Sequence, residues 1–149
     1  MGEFDFIPEV LKRIRARIIF HKVSVKPGKP LLFAKKGRQM IFGVPGNPVS
    51  TLVSFLLFLK PCIMKMKGAE SWRPELHSGV LENGVKVSTD RRSLYPCRIR
   101  DQGKRYRIIP LDFHGSGDMR TVCRADGFII LEPGKHRLKR GDGVNFIFL

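Results

Sequence analysis

Apolar residues recur at helical spacing near the start of the chain, and basic residues fill the other face. The apolar positions are Phe4, Phe6, Ile7, Val10, Leu11 and Ile14. This spacing predicts an amphipathic helix over residues 4–15, with its basic residues at the C-terminal end, where the helix dipole favours them. The next apolar run predicts a strand over residues 17–23.

Two further short apolar runs predict strands over residues 31–34 and 39–44, joined by a basic hairpin turn. The segment before them, Lys-Pro-Gly-Lys-Pro at residues 26–30, predicts an irregular and stiff loop. Its two prolines have no N–H to donate, and a glycine lies between them.

A long apolar segment after the second of these strands predicts a helix over residues 48–67. Asn47 is a favourable N-cap, Pro48 suits the first helical position, and Gly68 is a favourable stop. Apolar residues occupy nearly every side of this helix, which predicts burial or a subunit interface. The most apolar part, residues 49–59, is interrupted by Ser50, Thr51 and Ser54 and is followed by Lys60. It is shorter than the roughly 20 residues of a membrane span, so we expect no membrane insertion.

The pattern changes near Trp72, and short β-type runs follow to the end of the chain. They cover residues 79–81, 85–88, 94–100, 106–110, 127–131 and 144–149, with turn signals at 83–84, 102–103 and 133–134. This half predicts a small β-barrel or sandwich. We therefore expect two domains, at residues 1–73 and 74–149.

The composition adds a strong preference for anions. The 149 residues carry 28 Lys and Arg against 13 Asp and Glu, a formal net charge of +15. Residues 1–73 hold 14 basic and 4 acidic side chains, so the positive charge is concentrated there. A field of this strength favours phosphorylated ligands, polyanions or an acidic partner, and non-specific polyanion binding is one expectation.

The cysteines and the N-terminus indicate a cellular compartment. Three widely spaced cysteines form neither a disulfide framework nor a metal-binding knuckle, and we expect no structural zinc. The acidic residues near the N-terminus are not typical of a secretory signal. We expect a soluble cytoplasmic protein.

Two segments are candidates for anion chemistry. In the turn before the long helix, Gly43 and Gly46 allow close backbone approach, while Asn47, Ser50 and Thr51 lie where free N–H groups would meet an anion. The alternative is an ordinary capped helix entry. In the 26–30 loop, two lysines are held close together beside His21 and Lys22, and the alternative is a solvated basic turn.

These segments together resemble one family. FHKVSVKPGKPLLF at residues 20–33, followed by FGVPGNPVSTLVSF at residues 42–55, is similar to the C-terminal part of molybdopterin molybdenumtransferases, the MoeA and gephyrin E-domain family. GEFDF at residues 2–6 and SGDMRTVCRADGFIILEPG at residues 116–134 resemble further parts of it. The resemblance implies a truncated three-layer α/β molybdopterin-binding-like domain followed by a small C-terminal β-barrel.

The resemblance also implies a cytoplasmic enzyme of molybdenum-cofactor biosynthesis. Such an enzyme inserts molybdate into adenylylated molybdopterin, with Mg²⁺, and releases AMP. Because complete family members are longer, we expect this chain to be a fragment. It would form a homodimer or associate with the missing N-terminal portion, and it would be inactive without that portion.

Carried over residue by residue, the resemblance assigns three kinds of site residue. Catalytic roles fall to Lys26, Lys29 and Ser50. The expected substrate-binding residues are Lys22, Pro30, Pro45, Gly46, Asn47, Pro48, Arg98, Ser116 and Thr121. Asp5 matches an acidic residue at the metal end of the site, although charge pairing with a helix N-terminus is an alternative role for it.

Two other classes of function stay open at this point. The charge alone fits a nucleic-acid-binding module, but aromatic residues are only 9% of the chain and do not alternate with basic ones. Gephyrin-like relatives anchor receptors, so a scaffold or interaction role is the third reading, and it rests on analogy.

Overall fold

The computed structural model describes residues 6–103 and 105–149. These residues form helices α1 (Ile7–Arg13), α2 (Pro48–Met66) and α3 (Met119–Val122). The strands are β1 (Arg17–His21), β2 (Val25–Lys26), β3 (Leu32–Lys36), β4 (Gln39–Gly43), β5 (His77–Leu81), β6 (Val85–Thr89), β7 (Arg92–Asp101), β8 (Tyr106–Pro110), β9 (Gly127–Leu131), β10 (Gly134–Leu138) and β11 (Gly143–Phe148).

The first part of the chain forms three layers. Strands β1, β3 and β4 make an antiparallel sheet in the order β1-β3-β4. Leu11 of α1 packs with Ala34 on one face of the sheet. On the other face Phe33 lies against Phe20, whose ring centroid is 6.5 Å from that of Phe58 on α2. The sheet is therefore covered by α1 and by α2, which confirms the predicted α/β layering.

The second part is a closed barrel of five strands. The order is β7-β8-β5-β11-β9, and β9 pairs again with β7 to complete the circle. Its interior is filled by Leu81, Cys97, Ile108, Ile129, Leu131, Val144 and Phe146. Closure requires Gly127, because a Cβ there would lie 2.3 Å from the Ile147 carbonyl oxygen. The predicted α/β-plus-barrel class is confirmed.

A shared apolar cluster joins the two parts. Val49 and Val53 of α2 pack with Leu94 and Phe128 of the barrel. Strand β2 also pairs in parallel with the start of β7. The prediction that irregular structure begins at Lys26 is therefore wrong, since this residue extends the barrel sheet. The 26–30 loop is fixed to the barrel at its first residue.

The barrel connections differ from the turn signals. Only the Gln102–Gly103 turn joins two strands that pair, β7 and β8. Strand β6 pairs with β10, which was not predicted, and β5 lies between β8 and β11. Turn residues mark where a chain reverses but do not select the partner of a strand, which depends on long-range packing. The first helix is also shorter than predicted, although residues 4–5 lie outside the described part.

Helix α2 is 19 residues long, and by length and composition it could cross a membrane. The apolar part of the helix continues past Lys60 to Met66, beyond the residues 49–59 predicted from the sequence. However, Val49 and Val53 are fully buried against the barrel. A third of the most apolar 18-residue window of this helix is buried within the described structure.

Candidate functional site

A cleft of about 990 Å³ separates the α/β layers from the barrel. On one side it is lined by the 26–30 loop and by the turn that leads into α2. On the other side it is lined by the end of β6, the start of β7 and residues 113–116. The cleft therefore collects residues that are far apart in the sequence.

The 26–30 loop is closed at its neck by backbone hydrogen bonds. The N–H of Lys22 donates to the Leu31 carbonyl at 2.8 Å, and the N–H of Val23 donates to the Lys29 carbonyl at 2.9 Å. Lys22 has a positive φ of 79° at this point, which is uncommon outside glycine. The backbone of Lys22 therefore shapes the loop, while its side chain is not among those that line the cleft.

Gly28 brings the loop directly onto α2. Its φ of +123° is accessible mainly to glycine, and a Cβ there would lie 3.4 Å from Ser54 Oγ and 3.7 Å from the Ser50 carbonyl oxygen. The loop is therefore held from the barrel side by β2 and from the helix side by this contact. Lys26 and Lys29 sit on a backbone with little freedom to move.

The turn before α2 is capped internally. Asn47 Oδ1 accepts from the N–H groups of Val49 at 3.1 Å and Ser50 at 3.4 Å, and the Thr51 hydroxyl donates to the Pro45 carbonyl. The expectation of free N–H groups is wrong for Ser50, whose N–H is capped by Asn47, and for Thr51, whose N–H donates to the Asn47 carbonyl at 2.9 Å. What the turn presents is the positive end of the helix dipole and the Ser50 hydroxyl, which lines the cleft.

The barrel side of the cleft is dominated by Arg91, which sequence reasoning missed. Thr89 Oγ1 donates to the Arg91 carbonyl at 2.6 Å, and Arg91 Nε donates to both carboxylate oxygens of Asp90 at 3.1 Å. The hydrogen bond from Arg91 lowers the pKa of Asp90, and the charge of Lys26 adds to that effect. The guanidinium is therefore held at the edge of the cleft with its outer nitrogens available.

Polar groups without negative charge complete the lining. Burial raises the pKa of Tyr95, so its phenol stays protonated at neutral pH and can donate a hydrogen bond. His21, His114, Ser88, Ser93 and Ser116 also line the cleft. Among the described lining residues Lys26, Lys29 and Arg91 are cationic and none is acidic. The cleft is suited to a multiply charged anion.

The structure brings most of the expected site residues together. Those that line the cleft are Lys26, Lys29, Pro30, Pro45, Gly46, Asn47, Ser50 and Ser116. Those that do not are Lys22, Pro48, Arg98 and Thr121. Asp5 lies outside the described residues.

Arg98 and Thr121 have other contacts. Arg98 is largely exposed, with its Nε 3.7 Å from Asp126 Oδ2. The Thr121 hydroxyl donates to the Asp112 carbonyl at 3.3 Å, and its N–H donates to Asp118 Oδ1 at 3.0 Å. Thr121 thus shapes the loop that carries Ser116. No spacing pattern in the sequence separates Arg91 from the neighbouring arginines, because its place at the cleft depends on where the turn between β6 and β7 lies.

The described residues of this cleft do not fit a magnesium ion. Mg²⁺ is bound through carboxylate oxygens, and no described lining residue carries one. No group of three or more His, Cys, Asp or Glu side chains that could hold a metal ion occurs within residues 6–103 and 105–149.

Comparison with known proteins identifies the class to which this fold and cleft belong. Residues 1–65 match the family described as a probable molybdopterin-binding domain, and residues 78–149 match the MoeA C-terminal region, domain IV. The chain belongs to the MoeA family of molybdenum-cofactor biosynthesis.

Individual relatives agree with this assignment. The chain is 32% identical over 149 residues to a molybdopterin molybdenumtransferase of Haemophilus influenzae, covering 97% of this chain and 36% of the relative. It is 29% identical over 147 residues to the Staphylococcus epidermidis enzyme of that name, covering 99% of this chain and 35% of the relative. The crystal structure of a molybdopterin biosynthesis MoeA protein from Pyrococcus horikosii superposes with a TM-score of 0.77 at 25% identity, covering 97% of this chain and 34% of that one. The chain thus spans about a third of the length of these relatives.

Proposed function

We propose that the cleft binds molybdate and the phosphorylated end of molybdopterin, as part of a molybdopterin molybdenumtransferase. The observation that carries the proposal is the convergence of Lys26, Lys29 and Arg91 on one cleft with no acidic residue among its described lining. Molybdate is a tetrahedral dianion, and fixed cations with hydroxyl donors are complementary to it. Ser50 and Ser116 supply such hydroxyls.

The roles of the residues follow from their placement. Lys26 and Lys29 bind oxyanions from a loop already held on both sides, so little conformational entropy is lost on binding. Arg91 approaches from the barrel and Tyr95 donates from beside it. The same electrostatic field that binds the dianion also favours a transition state with more negative charge.

The finer reaction is part of the proposal. We propose adenylylated molybdopterin and molybdate as substrates, AMP as a product, and the cytoplasm as the location; of these, the relatives' names support only molybdopterin and molybdenum transfer. A magnesium ion would enter this scheme through Asp5, which is outside the described residues. We also propose a domain boundary at residues 73–74, which lies in the interval between the two family matches.

Turnover would require regions that the relatives have and this chain does not span. We propose that those regions, in a homodimer or in a complex of two polypeptides, complete the substrate site. Incubation with adenylylated molybdopterin, Mg²⁺ and molybdate should release little AMP, and addition of the upstream region of a relative should restore release. Full AMP release by this chain alone would contradict the need for a partner, while leaving molybdate binding untouched.

Molybdate binding tests the core of the proposal. By calorimetry, Lys26→Ala and Lys29→Ala should each weaken molybdate binding by about tenfold or more, because each removes a charge-assisted hydrogen bond. Lys139→Ala removes the same charge from an exposed turn outside the cleft and serves as the matched control. Equal affinities for Lys26→Ala and Lys139→Ala would overturn the assignment.

A further inference from the structure

One end of the three-stranded sheet, away from the cleft, carries a dense group of exposed cations. They are Lys12, Arg13, Arg15, Arg17, Lys35, Lys36 and Arg38, defined here as the basic end. Among the described residues only Arg13 of this group has an ion pair, with Glu9 at 2.6 Å. The cleft lies at the opposite end of the strands, where Leu32 and Gly43 contribute to its lining.

Arg15 occupies a position that favours glycine. At the end of α1 the N–H of Arg15 donates to the Lys12 carbonyl and the N–H of Ala16 donates to the Leu11 carbonyl, both at 2.9 Å. Arg15 has a φ of 56°, the left-handed conformation that glycine adopts most easily after a helix. An arginine here costs about 1–2 kcal/mol relative to a relaxed backbone. Arg15 therefore places a cation at a position where glycine would be more stable.

A second destabilising feature of the basic end is a pair of like charges on neighbouring strands. Arg17 on β1 lies directly opposite Lys35 on β3 in the antiparallel register. Like charges at opposed positions of a sheet destabilise it. Two independent features of the basic end therefore reduce stability while they increase positive charge. Such features persist where a function requires them.

We propose that the basic end binds an acidic segment of a partner protein in which carboxylates alternate with apolar residues. Exposed apolar residues are near the cations in the sequence: Ile14 is 39%, Ile19 43% and Met40 36% exposed, and Met40 Sδ also contacts Cys62 Sγ of α2 at 3.6 Å. Met40 is the cross-strand neighbour of Lys35. A bare polyanion would use only the cations, whereas a mixed segment would also cover these apolar groups.

The aromatic residues of the sheet argue against nucleic acid as the ligand. Phe20, Phe33 and Phe42 stack on one another, and Phe58 of α2 lies against Phe20. These rings face α2, so they are not placed for base stacking, which supplies much of single-strand affinity. An acidic protein segment needs no base stacking, and its negative charge is complementary to the basic end.

The test uses the full chain and a short synthetic peptide in which Asp and Glu alternate with Leu. The triple variant Arg15→Gln, Arg17→Gln, Lys35→Gln should weaken peptide binding by about tenfold at physiological salt, since exposed ion pairs contribute modestly and additively. The matched control, Arg137→Gln, Lys139→Gln, Arg140→Gln, removes the same charge from strand β10 and the turn that follows it, outside the basic end. It should change affinity less than about twofold.

A single variant separates binding from stability. Arg15→Gly should raise the melting temperature, since it relieves the left-handed backbone, and should still weaken peptide binding. Equal losses in the two triple variants would overturn the proposal, because binding would then follow only the overall field. Tighter binding of a poly-U oligonucleotide than of the peptide, lost in the same triple variant, would assign the surface to nucleic acid and also overturn it.

Discussion

The two walls of the cleft are held in place by different kinds of structure. The wall that carries Lys26, Lys29 and Ser50 combines a local cap at Asn47 with the packing of the Gly28 loop on helix α2. On the barrel wall, Arg91 is held by hydrogen bonds to Thr89 and Asp90, and the turn that carries it is placed by strands β6 and β7. The first wall therefore depends on turn residues packed against a helix, and the placement of the second depends on how the barrel strands pair.

This difference determines how each wall can fail. A local motif loses its geometry when one cap or turn residue is replaced, and its neighbours compensate little. A barrel wall tolerates substitutions at its surface, but it depends on positions inside the barrel where two backbones approach closely. A substitution in one wall should therefore leave the other wall intact, and the largest effect is expected at these positions of the barrel.

Gly127→Ala should damage the barrel wall most. Its Cβ would lie 2.3 Å from the Ile147 carbonyl oxygen and 2.8 Å from Ile99 Cδ1, so the backbone must move and the β9–β11 pairing must open. We expect a loss of about 3 kcal/mol in the free energy of unfolding, at the upper end for an overpacked core, measured by urea denaturation.

Gly143→Ala is the matched control, because nothing lies within 4 Å of the Cβ added there. It should change stability by less than about 0.5 kcal/mol. Equal stability of the two variants would mean that the barrel does not depend on close backbone approach at Gly127.

Arg91→Ala should remove the cation of the barrel wall without unfolding it. A charge-assisted hydrogen bond contributes about 1.5–3 kcal/mol, so molybdate affinity measured by calorimetry should fall by roughly ten- to a hundredfold. Arg98→Ala, which removes an exposed arginine of the same strand region, should change it less than about twofold. A larger loss in Arg98→Ala would restore Arg98 as the anion-binding residue.

This pair of arginines shows what sequence could and could not predict. The α/β layers, the long helix with its Asn47 cap, and the loop with Lys26 and Lys29 depend on local signals, and these were predictable. Arg91 depends on which strands meet at the start of β7, including the two-residue strand β2. A two-residue strand that pairs with a distant segment leaves no periodic pattern in the sequence. The β-structure of the barrel wall was therefore predictable, but the side chains that it places in the cleft were not.

Asn47→Ala should loosen the other wall by a smaller amount. The cap satisfies the N–H groups of Val49 and Ser50, and its loss should lower stability by about 1 kcal/mol in urea denaturation. Because Ser50 would lose its fixed position, molybdate affinity should fall as well. Asn145→Ala, which changes an exposed asparagine of β11, is the control and should leave affinity unchanged.

Asp90→Asn should give the smallest effect, since the carboxylate is exposed. The hydrogen bond from Arg91 lowers the pKa of Asp90 below its ordinary value of 3.8. A lowered pKa in the folded state means that the interaction contributes stability above the unfolded pKa and that this contribution is lost as pH falls through the folded value. The coupling between Asp90 and Arg91 should therefore be present at neutral pH and absent in strong acid.

A double-mutant cycle of Asp90→Asn and Arg91→Ala measures this coupling directly in the free energy of unfolding. At neutral pH the two changes should not be additive, because either one breaks the same pair of hydrogen bonds. Below the folded pKa they should become additive, since the protonated carboxyl no longer carries the charge that holds the guanidinium. Coupling that persisted unchanged in acid would mean that the negative charge of Asp90 is not what holds the guanidinium, and that a hydrogen bond to the neutral carboxyl is sufficient.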